Sequence, residues 1–314
     1  MKKSAISIVI LITICLLTFG CSNDETGPSP YNNDDDNNPI LTTNVYICGF
    51  DTNSSDIDVA KWWKNGEEQP PLTDGTKDAE AKSIFVSGSD VYICGYERGS
   101  SSGYDVAKWW KNGVEQPALS NATKNARALS IFVSGSDVYI CGYAYKATGQ
   151  RVARWWKNGV AQPDLTNGTY LAMALSIFVS DSDVYICGCE RSSSGKDIAK
   201  WWKNGVVQTA LTNGSNDAYA NSIFVSGSDV YICGDEYVSG KIIAKWWKNS
   251  SLQPVLSNGT QSAKSIFVSG SDVYIARYDI SRTNAKFWKN GILQNLSDQE
   301  SNTNSIFVLG TDVY

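Results

Sequence analysis

The chain has 314 residues, of which 42% are apolar, 11% aromatic and only 19% charged, the makeup of a packed protein and not of a disordered one. Its 27 Lys and Arg against 32 Asp and Glu give a net charge of −5, and beyond residue 44 the balance is about −2. A near-neutral body excludes general nucleic-acid or anionic-membrane binding, which needs a basic patch. The chain has no histidine, which excludes Ser-His-Asp and Cys-His nucleophile systems and histidine metal sites.

Residues 1–20 have the pattern of an export signal. Lys2 and Lys3 precede an apolar run from Ala5 to Phe19 that is too short for a stable membrane span. The run ends Leu17-Thr18-Phe19-Gly20-Cys21 and resembles a bacterial lipoprotein box, with Thr18 and Phe19 departing from its usual residues. The resemblance implies that Cys21 is lipidated and becomes the mature N-terminus. Several acyl chains would then anchor the protein to outer-membrane lipid, facing the cell surface or the periplasm. Ser22-Asn23-Asp24-Glu25 is similar to the acidic stretch of surface-exported lipoproteins. Residues 21–44, with Asn32-Asn33-Asp34-Asp35-Asp36-Asn37-Asn38 and three prolines, form the lipidated cysteine and a solvated tether.

From residue 45 one unit is written six times. The pair Val-Tyr recurs at 45, 91, 138, 184, 230 and 273, in steps of 46, 47, 46, 46 and 43. A period in the forties with several short apolar runs per unit predicts propeller blades. In one unit Ser130-Ile131-Phe132-Val133 reads as strand a and Val138 to Tyr143 as strand b. Val152 to Lys157 reads as strand c, and Asn158-Gly159 as a type I′ hairpin turn. Val160 to Leu165, carrying Pro163, is an outer edge strand d. Residues 45–314 are therefore expected to form an all-β, six-bladed propeller with four antiparallel strands per blade. The last strand a, Ser305 to Leu309, should pair with the N-terminal strands b to d and close the ring. Val313-Tyr314 begins a further strand b, and the sixth unit is worn, with Ala276 and Arg277 in place of the Cys-Gly pair.

All eleven tryptophans lie in strand c, where packing between blades accounts for them better than sugar stacking. Five cysteines (Cys48, Cys94, Cys141, Cys187 and Cys233) share one position of strand b. Equivalent points in a sixfold ring lie about 10 Å apart there, beyond the reach of a disulfide, so inert buried thiols are expected. Strand b ends in an acid in five units, Asp51, Glu97, Glu190, Glu236 and Asp279, while Ala144 breaks the series. The same separation keeps these acids from sharing a cation, so neither a metal site nor a cofactor is expected. The turn aspartates, such as Asp137, are explained by turn chemistry.

Strand direction alternates, so the a–b and c–d turns share one end of the ring and the b–c and d–a loops the other. The first set scarcely changes between units, whereas the second differs in every unit. One position ahead of strand a varies as Glu80, Arg127, Met173, Tyr219 and Ser262, near the expected mouth of the channel. With Glu97, Glu190, Glu236, Tyr145 and Tyr237, the first four are the candidate ligand-binding residues. No catalytic residue is assigned.

The phrase Ser-Ile-Phe-Val-Ser-Gly-Ser-Asp-Val-Tyr-Ile-Cys-Gly-Tyr, followed by Ala-Lys-Trp-Trp-Lys-Asn-Gly, resembles repeats of exported bacterial propellers and the extracellular HAF-type repeats. That resemblance implies architecture and an extracellular address but no particular activity. Tachylectin-like propellers are similar only in layout. The expected function is a non-catalytic, surface-tethered module that binds a glycan or a protein partner and works as a monomer. The alternatives are a hydrolase or lyase acting on extracellular carbohydrate, and a ligand-free spacer.

Overall fold

The computed structural model describes residues 7–9, 44–99, 103–257, 259–279, 285–296, 303–309 and 312–313. Cys21, the rest of the leader, the tether up to residue 43, the loop residues Ile280 to Thr283 and Tyr314 lie outside them.

The repeat folds into six four-stranded antiparallel sheets. The first is β1 (Ser7–Val9), β2 (Tyr46–Thr52), β3 (Asp58–Lys64) and β4 (Glu67–Glu68); the second is β5 (Ala79–Ser87), β6 (Asp90–Arg98), β7 (Asp105–Lys111) and β8 (Val114–Glu115). The third comprises β9 (Ala126–Ser134), β10 (Asp137–Tyr145), β11 (Arg151–Lys157) and β12 (Val160–Ala161). The fourth comprises β13 (Ala172–Ser180), β14 (Asp183–Arg191), β15 (Asp197–Lys203) and β16 (Val206–Val207). The fifth holds β17 (Ala218–Ser226), β18 (Asp229–Val238), β19 (Lys241–Lys248) and β20 (Ser251–Leu252). The sixth holds β21 (Gln261–Ser269), β22 (Asp272–Asp279), β23 (Lys286–Lys289) and β24 (Ile292–Asn295), and a last pair, β25 (Val308–Leu309) and β26 (Asp312–Val313), follows it.

Successive sheets pack face to face, so that the second to fifth are covered on both faces, as continuous apolar strands require. Tyr46, Cys48 and Trp62 of the first sheet pack on Ala81, Ile84, Ile93 and Trp110 of the second. The same contact recurs at the four later interfaces. The two tryptophans of a pair point to opposite faces, and Trp110, Trp156, Trp202, Trp247 and Trp288 are fully buried. Inter-sheet packing therefore accounts for most of the tryptophans, while Trp63, Trp155 and Trp246 are half-buried.

The inner strands carry a bulge that dictates a residue in the next strand. Pairing passes from Ser83↔Cys94 directly to Ala81↔Gly95, leaving Lys82 unpaired. The bulge pushes a carbonyl against the second strand, so that a Cβ on Gly142 would stand 2.0 Å from the Arg127 oxygen. Only glycine fits. The serine after the bulge also ties neighbouring sheets together, since Ser83 Oγ accepts the Ile131 amide at 3.2 Å. The bond repeats from Ser130 to Ile177, Ser176 to Ile223, Ser222 to Ile266 and Ser265 to Ile306.

Phe85, Phe132, Phe178, Phe224, Phe267 and Phe307 follow one another at centroid spacings of 4.7–4.9 Å. All six line a single apolar cavity of about 190 Å3, which marks the axis and makes these strands the innermost ones.

The expected closing strand pairs elsewhere. The free edge of β2 is taken by β1, with Val9 opposite Cys48, while β25 pairs with β26. An inner edge of this kind exposes a row of backbone donors and acceptors and takes whichever strand satisfies them. Residues 303–309 still pack on the sixth sheet, where Ile306 and Val308 join Tyr274, Ala276 and Phe287.

Candidate functional site

At the end bearing the a–b and c–d turns, each c–d turn opens on an asparagine at positive φ, such as Asn112 at 52°, followed in all units but one by a glycine such as Gly113 at 78°. This is the I′ geometry expected of Asn-Gly. Asn112 Oδ1 accepts from the Val91 amide at 2.8 Å, and Lys111 Nζ lies 2.8 Å from Asp90 and 5.2 Å from the Tyr92 ring centre. The arrangement repeats at Asp137, Asp183, Asp229 and Asp272. The turn aspartates thus do more than turn the chain: they lock one hairpin onto the other. The sameness of this end has an internal cause.

The opposite end is different in every sheet. The Glu80 carboxylate accepts from the Tyr96 hydroxyl and pairs with Lys82. Burial opposes its ionisation, yet the Lys82 ammonium, the Tyr96 hydroxyl and the Arg127 charge together hold it below the usual carboxylate range. Arg127 crosses from the third sheet to the second, lying 3.8 Å above the Tyr96 ring and donating Nε and Nη2 to Asp105 at 2.7 and 2.6 Å. Met173 stands opposite Cys189. Tyr219 donates its hydroxyl to Asp197 at 2.7 Å and meets Tyr237 edge-on at 6.1 Å. Burial first, then Asp197, pushes the Tyr219 hydroxyl well above the ordinary tyrosine range. Ser262 donates to the buried Asp235 at 2.6 Å.

The candidates therefore separate into groups. Glu80 and Arg127 come together around Tyr96, and Tyr219 joins Tyr237. Glu97, Glu190 and Glu236 stand apart, turned between the sheets, where they pair with Lys108 (2.6 Å), Lys200 (2.5 Å) and Lys245. Tyr96, Asp105, Asp197 and Asp235 were missed from sequence. Their signal was available, because the positions of strands b and c that hold them also vary between units, though less than the position of Glu80.

Two clefts open between successive sheets at this end, in equivalent places. The one between the first and second sheets, about 510 Å3, is lined by Asp74, Lys77, Glu97, Lys108 and Glu115. The one between the second and third, about 380 Å3, is lined by Asn121, Lys124, Asn125, Tyr145 and Arg154 over a floor of Leu119, Ala126 and Ala144. Among the described residues no group of three or more Cys, Asp or Glu side chains is placed to hold a metal ion.

Neither a protein family nor a curated protein matches this sequence. Solved structures do. The WD40 β-propeller domain of Doa1 superposes with a TM-score of 0.50 at 11% identity, over 83% of this chain and 82% of that one. The fold is a β-propeller. A puromycin-hydrolyzing peptidase of Mycobacterium tuberculosis (TM-score 0.54, 10% identity, 85% of this chain) and a prolyl endopeptidase (0.51, 11%, 81%) also superpose. This chain spans only 47% and 40% of those two proteins, and at such identity the likeness concerns fold alone.

Proposed function

We propose that the protein is an exported lipoprotein with HAF-like repeats, anchored in the outer membrane through Cys21, whose mature ring of six blades is a non-catalytic module that binds a glycan or an extracellular protein partner. The ring is closed by residues 305–309 and acts as a monomer. The observation that carries the reading is the contrast between the two ends of the propeller. One end repeats the same Asp, Asn, Lys and Tyr cluster in unit after unit. The other presents a different set of charged and aromatic groups on each blade while the backbone beneath them stays the same. A scaffold held constant under a varied surface is how a binding face is built. Closure is supported by the six phenylalanines, which share one axial cavity from Phe85 round to Phe307.

A glycan array probed with the mature chain carrying Cys21→Ala tests the binding reading, together with capture from envelope extracts. Selective retention of a glycan class or of one envelope protein is expected, and uniform background in both experiments overturns it. Incorporation of labelled palmitate that is lost in the Cys21→Ala chain is the expected result for the anchor.

A further inference from the structure

The two inter-blade clefts are built from the same backbone positions but differ in charge. In the first, Asp74, Glu97 and Glu115 face Lys77 and Lys108, so carboxylates outnumber cations. In the second, those three acidic positions hold Asn121, Ala144 and Ala161, while the basic pair survives as Lys124 and Arg154. Every other unit keeps an acid where Ala144 stands: Asp51, Glu97, Glu190, Glu236 and Asp279. In the second, fourth and fifth blades that acid pairs with the strand c lysine. In the third blade the guanidinium of Arg154 instead leans on Asp164 through Nε and Nη2, at 2.7 and 2.6 Å. Lys124 lies over the face of Tyr104, with Nζ 5.7 Å from its centroid. Tyr145, braced edge-on against Tyr143 at 6.1 Å, walls the cleft with a ring.

We propose that the cleft between the second and third blades is an anion-recognition site for an acidic saccharide. The carboxylate or sulfate of the sugar sits between Lys124 and Arg154, its ring lies against Tyr145, and its hydroxyls meet the amides of Asn121 and Asn125. Lys124 and Arg154 meet one carboxylate, Asp164, where the neighbouring cleft sets three carboxylates against two cations, and this excess of positive charge in a partly desolvated cleft favours an anion. A tyrosine wall supplies the flat apolar surface that a sugar ring covers. This site rests on the binding-module reading and names its ligand class.

Calorimetric titration of the purified chain with sodium glucuronate, glucose and sodium sulfate tests it. Saturable glucuronate binding is expected, weaker as salt is raised, with glucose and sulfate each at least about tenfold weaker. Ala144→Glu and Asn121→Asp install residues that neighbouring blades already carry, so the fold is kept. Each is expected to lower glucuronate affinity by about tenfold or more. Equal binding of glucose, equal binding of sulfate, no saturation below about 50 mM glucuronate, or unchanged affinity in Ala144→Glu each overturns the assignment. A chain that captures an envelope partner but ignores glucuronate leaves the binding-module reading standing and removes this cleft from it.

Discussion

Asn112 Nδ2 donates to Asp90 Oδ1 at 2.8 Å, joining the c–d hairpin of the second blade to its a–b turn. The same bond, at the same length, joins Asn158 to Asp137, Asn204 to Asp183, Asn249 to Asp229 and Asn290 to Asp272. Each asparagine also caps the amide of the first valine of strand b, as Asn158 does for Val138 at 2.8 Å. Asn158→Ala removes both bonds and places a Cβ-bearing residue without a compensating side chain at φ 50°. The expected cost is about 1–2 kcal/mol of stability, read as a fall in the urea midpoint with an unchanged denaturant slope. A variant as stable as the parent would mean that the hairpin holds without the clamp.

The same clamp predicts acid sensitivity. Hydrogen bonds from the lysine and then the asparagine hold Asp90, Asp137, Asp183, Asp229 and Asp272 below the ordinary carboxylate range. An unfolded aspartate takes up its proton near about pH 4, whereas these stay ionised in the fold to lower pH. The stability they contribute is therefore fully present above about pH 4 and is lost as pH falls through the depressed folded values. Thermal melts should fall steeply below about pH 4, and a chain with Asp137→Asn and Asp183→Asn should show a shallower slope. An identical slope would assign the acid sensitivity to other carboxylates.

The repeat made most of the fold legible. Its period, the Asn-Gly turns and the paired tryptophans lead to four strands per unit with both faces covered, and the six sheets follow. The partner of the first sheet was not legible. Ser7-Ile8-Val9 carries no repeat signature beyond being apolar, yet an open edge needs only a backbone. The glycines of the second to fifth Cys-Gly pairs could be seen as constant but not explained, because the carbonyl that crowds them belongs to a bulge in the adjacent strand. The candidate site was half legible. Variable positions can be picked out of aligned units, but which of them meet across blades, as Arg127 and Asp105 do, depends on how one sheet leans on the next.

That bulge makes the glycines severe test positions. A Cβ at Gly188 would stand 2.0 Å from the Met173 carbonyl oxygen, and backbone cannot move aside as a flexible side chain can. Gly188→Ala is expected to cost about 3 kcal/mol or more by forcing the bulge out of register. Loss of the cooperative melt, or a drop in its midpoint of several degrees, checks it. A mild effect would show that the fourth blade can adopt the course of the sixth, where Arg277 occupies the equivalent position opposite Ala263.

The described cysteines Cys48, Cys94, Cys141, Cys187, Cys189 and Cys233 are buried thiols outside any disulfide. Burial pushes their thiols up, Cys189 to about 12, so almost no thiolate is present at neutral pH. A thiol reagent should label none of them in the native chain and all six after denaturation. Fast labelling of one site in native conditions would locate a blade that opens.

Ring closure is the last expectation to be tested, and it turns on one serine. Ser83, Ser130, Ser176, Ser222 and Ser265 each accept an isoleucine amide from the next inner strand, and Ser305 is the sixth copy of that serine. Under the proposed export, removal of the leader would take away Ser7–Val9 and with it the strand now on the edge of β2. The vacated edge is then open to residues 305–309, which would bring Ser305 Oγ to the Ile84 amide and continue the cycle. Hydrogen exchange distinguishes the states. In a chain beginning at residue 21, the amides of Tyr46–Thr52 should remain protected, and removal of residues 303–314 should strip that protection away. Equal exchange in the two chains would mean that the propeller stays open on that side.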